Sequence, residues 1–184
     1  PSRDNSTGYR VSMETNSIGK AGNLGTMTKE DLIEDYRMVG KLSGGYSIYR
    51  EKGTDNYMVT YPHKHQKKVH FVAELQLSKI GSYHQVDYVS VSRLFKGQNI
   101  AFRLYRFLMM KRKMRMMGGT SQSPGARKLW AKLARSRVLS VYAKYNTNRR
   151  AIYPVKGTRT TPILDRRSED LYDDSNLQLF AKAV

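Results

Sequence analysis

The 184-residue chain contains no cysteine. That excludes disulfides, thiolate metal sites and a cysteine nucleophile, and it fits a reducing compartment. No run of about eighteen apolar residues occurs, so no membrane-spanning helix is expected. The first residues are polar and carry no secretory-signal core, and the expected location is cytoplasmic. Carboxylates are scarce too. There are 15 Asp+Glu against 33 Lys+Arg, a formal net charge of +18. Such an excess favours a polyanionic partner: nucleic acid, a ribonucleoprotein, an anionic membrane surface or a phosphate-rich cofactor.

What is present suffices for one compact domain. Hydrophobic residues make up 39% and aromatics 10%. The tyrosines, 13 in all, favour strands and amphipathic rings over an aliphatic bundle.

Residues 1–27 are rich in Ser, Thr, Asn and Gly, and read as an extended or flexible arm with a short strand at Tyr9–Met13. Thr28 followed by Glu30 and Asp31 is a helix start, with Leu32, Tyr36 and Val39 as its apolar stripe. Four strand-like runs follow at Tyr46–Arg50, Asn56–Pro62, Val69–Ser78 and Tyr83–Ser92. Their short polar junctions predict an antiparallel meander.

Two amphipathic helices come next. One runs from about Asn99 to Lys113 with Ile100, Leu104, Phe107 and Leu108 inward. The other starts at Ser123 and Pro124 and turns Ala126, Leu129, Trp130, Leu133 and Ala134 inward. Arg115–Ser121 and Val138–Tyr145 are the intervening and following strands. A strand–helix–strand unit requires a parallel pairing. The expected fold class is therefore α/β (α+β): a mixed, mostly antiparallel twisted sheet of about six to seven strands flanked by helices. The domain spans 28–148. Residues 149–184 form a C-terminal extension whose last dozen residues read as a mobile tail.

The segment Val91-Ser92-Arg93-Leu94-Phe95-Lys96-Gly97-Gln98-Asn99-Ile100-Ala101 joins a strand end to a helix start through a glycine-bearing loop. Such a loop aims successive backbone amides at one spot, where the helix dipole adds positive potential, and pyrophosphate is the natural guest. The segment resembles the signature loop of the GNAT superfamily of N-acetyltransferases: a strand ending in Val, then Arg/Gln-x-x-Gly-x-Gly/Ala. Lys96 stands at the Arg/Gln position, Asn99 at the middle glycine and Ala101 at the last small residue, while Leu104 roots the helix. Downstream, Ser123-Pro124-Gly125-Ala126-Arg127-Lys128-Leu129-Trp130 is similar to the family's second coenzyme A motif. The likeness covers roughly residues 46–145.

The resemblance implies acetyl-coenzyme A as co-substrate. It implies cofactor binding by Val89, Val91, Lys96, Gly97, Gln98, Asn99, Ile100 and Ala101, with Ser123 and Arg127 contributing from the second motif. The acceptor would be an amine of a protein or of an RNA-linked substrate. Glu74, an acid between apolar neighbours on a central strand, is the candidate base, with Asp87 second; Ser121 and Tyr142 are candidate polar groups at the cleft. Trp130 occupies the position of a family tyrosine that protonates the departing thiolate, and an indole N–H cannot act as a general acid near neutral pH. The alternative implied role is a catalytically inactive GNAT-fold binding or structural module, associated with nucleic acid or part of a larger assembly such as a phage particle. His63-x-His65 lacks a third ligand nearby, so no metal site is expected. Basic side chains on both helices, among them Arg103, Arg106, Lys128 and Lys132, exceed what one cofactor needs and point to a nucleic-acid or ribosomal surface.

Overall fold

The structure, a computed structural model, describes residues 25–119, 123–145, 152–155 and 177–184. The strand expected at Tyr9–Met13 and the candidate Ser121 lie outside these residues.

The chain enters through β1 (Thr26–Thr28) and α1 (Lys29–Asp35). The Thr28 hydroxyl accepts the Asp31 N–H at 3.1 Å, and Glu30 and Asp31 sit at the positive end of the helix. The helix start is as expected, but its end is not. Tyr36 opens a strand, β2 (Tyr36–Leu42), paired antiparallel with β3 (Tyr46–Glu51). A seven-residue helix is too short to hold itself, so pairing on β3 outweighs the helical spacing of Tyr36 and Val39. Lys52 Nζ donates to the Ile33 carbonyl at 3.1 Å and so satisfies part of the helix end.

β4 (Tyr57–Pro62), β5 (Lys68–Ile80) and β6 (Tyr83–Val91) continue the antiparallel meander that the junctions predict. A 3-10 turn at Arg93–Phe95, α2 (Ile100–Lys111), β7 (Met116–Met117), α3 (Pro124–Ala134), β8 (Leu139–Tyr145), β9 (Ile152–Val155) and β10 (Leu177–Ala183) follow. β6 and β7 are parallel. β10 runs antiparallel to both β7 and β8, so β6, β7 and β8 share one direction. The sheet order is β2-β3-β4-β5-β6-β7-β10-β8-β9, with β1 paired to β5 off this path.

The expected mixed, mostly antiparallel sheet with flanking helices is present. Its strand count is corrected upward, from about six or seven to ten among the described residues. The four strands not placed from sequence are β1, β2, β9 and β10, which are short or sit where a helix or tail was expected. Part of the expected mobile tail is in fact structural. Leu177–Ala183 fills the slot between β7 and β8, burying Leu179 and Ala181 at 2% and 0% exposure.

Two cores form on opposite sheet faces. The larger packs Ile48, Val59, Ala73 and Leu75 beneath α2 and α3, including Leu104, Leu108, Trp130 and Leu133. The smaller collects Leu32 of α1 with Met58, Val69 and Phe71. The two crossovers β6–α2–β7 and β7–α3–β8, right-handed by the general rule, put both helices over the larger core.

Edge strand β2 meets α2 at Gly40, where an added Cβ would lie 2.3 Å from Phe107 Cζ and 2.6 Å from Cε2. Phe107 would have to leave its seat. Gly40→Ala is expected to destabilise the fold by about 1–3 kcal/mol, read as a lower urea midpoint; an unchanged midpoint would show that Phe107 repacks freely.

Burial raises several phenol pKa values. Tyr36 is pushed up to about 12, chiefly by desolvation and then by Glu51, Glu74 and Asp35. Fully buried Tyr105 is raised by burial alone, and Tyr57 is raised mainly by burial. These groups bind more protons folded than unfolded once pH passes the ordinary phenol value of about 10, so stability falls with rising pH there. The melting temperature should hold up to about pH 10 and drop progressively toward pH 12. A flat profile across that window would contradict these burials.

Candidate functional site

The parallel pair β6–β7 is joined at only two positions, His84↔Met116 and Gln85↔Met117. Beyond Gln85, β6 continues to Val91 along β5 alone, with Ala73↔Val91 and Leu75↔Val89 in register. Among the described residues, β6 has no partner on this side beyond Gln85. The Ser92 N–H donates to the Val72 carbonyl on β5 at 2.8 Å. Strand alternation then turns the N–H and C=O of Val91 and Val89 the other way, into the gap. Their side chains pack on the larger core, and among the described residues no strand pairs with their peptide groups on that side. A free strand edge of this kind accepts an extended amide-bearing chain as an added strand.

The carboxyl end of that edge feeds the loop before α2. Gly97 (φ +81) and Asn99 (φ 55, ψ 29) both take left-handed backbone. Asparagine tolerates this conformation, which is why the loop closes without a second glycine. Nothing lies within 4 Å of where a Gly97 Cβ would sit, so the space there is open. Asn99 is the α2 N-cap, yet its side chain does not cap. Among the described residues, the amides of Gly97, Asn99, Ile100, Ala101 and Phe102 have no backbone acceptor, and the first internal bond is Arg103 N–H to the Asn99 carbonyl at 3.0 Å. Instead, Asn99 Oδ1 accepts from Lys132 Nζ of α3 at 2.5 Å. A cation held at the positive end of a helix is unfavourable alone, and an anion between them relieves it. Lys96 and Gln98 are exposed, Ile100 is a core anchor at 2% exposure, and Ala101 is half-buried.

α3 begins at the same carboxyl end of the parallel strands, the end where open α/β sheets gather ligands. Ser123 is occupied structurally, as its Oγ accepts the Ala126 N–H at 3.2 Å and caps α3. Arg127 sits half-buried in the first turns of the same helix. Trp130 is 2% exposed, a core residue rather than a cleft residue.

Glu74 lies on the opposite face, in register with Ser90 of β6 and Met58 of β4. It is 9% exposed. Its Oε1 accepts from Gln76 Nε2 at 2.7 Å, and its Oε2 has no partner among the described residues. The structure thus brings Glu74 to within one residue of the Val89 and Val91 edge. Asp87 does not share this setting: it is exposed and accepts from Ser78 Oγ and, at 3.3 Å, from Gln85 Nε2. Tyr142 is also elsewhere. Its hydroxyl is paired with that of Tyr83, its ring stacks on Phe180, and burial with that pairing pushes its phenol well up. Tyr83 begins β6, about 23 Å along the strand from Ser90 at roughly 3.3 Å per residue, so Tyr142 and Glu74 do not form one constellation.

No family model, curated protein or solved structure matches this chain. The site therefore stands on its own geometry. Three residues that sequence reasoning did not assign to it belong there: Lys132 against Asn99, Ser90 opposite Glu74, and Tyr36, whose phenol lies in the field of Glu74. Lys132 was visible only as one of many helix cations; its partner is 33 residues away in sequence. A separate groove of about 470 Å³ includes Arg37, Arg50, Lys52 and Arg112 at the other end of α2. Arg50 there is tied to Asp55 at 2.8 Å, and Lys52 holds the end of α1, so both serve the scaffold.

Proposed function

We propose that the protein binds acyl-coenzyme A in the GNAT manner and transfers the acetyl group to an amine. The observation that carries this is the open β6 edge at Val89 and Val91, running directly into the unsatisfied amides at the start of α2. An extended arm bearing amides and a pyrophosphate needs these two features in this order. The amides of Gly97, Asn99, Ile100, Ala101 and Phe102, with Lys132, would hold the phosphates. The Val89 and Val91 peptide groups would pair with the arm and help polarise a carbonyl placed at that edge. Bound acyl-coenzyme A supplies a thioester as acyl donor. Glu74 Oε2, buried and unpartnered, would take the proton of the attacking amine, leaving a neutral nitrogen lone pair.

Calorimetric titration with acetyl-coenzyme A tests the reading, and absence of binding at millimolar cofactor would overturn it. Gly97→Glu should weaken binding by at least about 100-fold, equivalent to roughly 2.7 kcal/mol. It sets a carboxylate against the phosphates and places a side chain where left-handed backbone costs about 1–2 kcal/mol. The space at Gly97 is open, so folding should persist and a near-native circular dichroism spectrum is the control.

A second reading, a GNAT-fold module without turnover, is favoured by one observation. Trp130 is buried at 2% exposure and presents no proton donor to the cleft. Cofactor binding without thiol release across a broad amine panel would decide for it.

A further inference from the structure

Beside the α2 loop, on the same face as the helix, aromatic rings form a continuous row. Tyr61 lies 5.0 Å from Tyr46 and 5.7 Å from Phe95 between ring centroids. Phe95 meets His70 at 5.9 Å, His70 meets His63 at 4.5 Å, and His63 stacks on His65 at 5.1 Å with planes 26° apart. One end of this row is anchored, since Tyr46 is buried and carries the Arg103 guanidinium 5.3 Å above its ring. The other members reach the surface: Tyr61 is 36% exposed, His65 is exposed and His63 is half-buried.

The charge around the row has one sign. Lys64 and Lys67 are exposed on the β4–β5 connection and Lys68 at the start of β5, and Arg93 and Lys96 are exposed on the loop that carries Phe95. No Asp or Glu occurs between Asp55 and Glu74, nor between Asp87 and Asp165. The two segments that build this surface therefore contain no carboxylate to neutralise their cations. His63 is held below the ordinary imidazole range, first by desolvation and then by His70, His65, Lys64 and Lys68, which favours the uncharged ring.

We infer that the Tyr61–His63–His65–His70–Phe95 row and its flanking lysines bind single-stranded nucleic acid. Unpaired bases offer faces that stack on rings in any sequence, while the backbone supplies one phosphate per nucleotide to the cations. A duplex buries its base faces and would use only the charge. An anionic lipid surface would likewise engage the lysines and the exposed Leu94, at 68% exposure, but has no use for a row of imidazoles. The surface is independent of the acyl-donor reading, because it can be occupied with no coenzyme present.

Fluorescence anisotropy of the full chain with a labelled single-stranded oligonucleotide of about ten nucleotides, within the usual site size, tests this without cofactor. Binding should weaken steeply with salt. Lys67→Glu with Lys68→Glu should make the log–log salt slope shallower, by about 0.7 for each phosphate contact removed. Tyr61→Ala should weaken binding about tenfold, within the usual range for one stacked base, and Tyr61→Phe should restore it. Lys111→Glu with Lys113→Glu, the same charge change at the far end of α2, should change affinity much less. Melting curves confirm that each variant is folded. The inference is overturned if the oligonucleotide does not bind or if Tyr61→Ala binds like wild type. It is equally overturned if both lysine pairs lose affinity alike, or if duplex or phosphatidylserine vesicles bind more tightly than the single strand.

Discussion

Trp130→Ala is expected to destabilise the protein by about 3–5 kcal/mol, the usual cost of removing a buried aromatic side chain. Trp130 is 2% exposed and belongs to the same core cluster as Leu104 and Leu108 of α2 and Val141 of β8. Its removal leaves a void where two helices and the sheet meet, and a close-packed interior closes such voids only in part. At about 2–4 °C per kcal/mol for a chain of this size, the melting temperature should fall by about 6–20 °C. Urea denaturation at neutral pH is the measurement. A loss below about 1 kcal/mol, the scale of a surface substitution, would mean that the indole lines an open cleft rather than the core.

Glu74→Gln is expected to lower the acetyl-transfer rate by roughly 10²–10⁴-fold, the usual contribution of a positioned base, while leaving acetyl-coenzyme A affinity within about twofold. The substitution keeps the shape and can keep the Gln76 contact at Oε1, but it removes the acceptor at Oε2. The two readouts separate roles. A base acts on the acceptor amine and not on the donor, so rate and donor affinity should part. If both fall together, Glu74 is organising the sheet through Ser90 and Gln76. If neither changes, the proton leaves by another route.

Much of the fold can be read from local patterns. The strands from Tyr46 to Val91 show themselves because their period-two runs are long and their turns are short and polar. α2 and α3 do so through their apolar spacing and, for α3, a Ser-Pro start that the structure uses as a cap. β2 was hidden because Leu32, Tyr36 and Val39 have helical spacing, while the strand's own register is interrupted between Met38 and Gly40. β10 was hidden because its short alternating run of Leu177, Leu179, Ala181 and Ala183 follows a long polar stretch, and only the partners that bury Leu179 and Ala181 fix it as a strand. At the site, Gly97, Asn99 and the Val91 strand end were legible in one continuous stretch. The Lys132–Asn99 contact, the Glu74–Ser90 register and the exclusion of Tyr142 were not. Each joins positions distant in sequence, and nothing in local composition encodes the distance between them.

The sequence by itself determined the loop between β6 and α2. A strand ending in valine, a glycine, an asparagine able to turn left-handed and an amphipathic run are all local requirements, and local chemistry meets them. It also determined the cationic excess, since +18 needs no fold to be counted. Only the tertiary structure decided that, among the described residues, β6 has no partner on the β7 side beyond Gln85, because an open edge is a property of what fails to pair with a strand. It alone also gathered Tyr61, His63, His70 and Phe95, drawn from two connections and two strands, into one row beside that loop. Packing brings such residues together across the sheet, and the spacing of side chains along the chain carries no record of it.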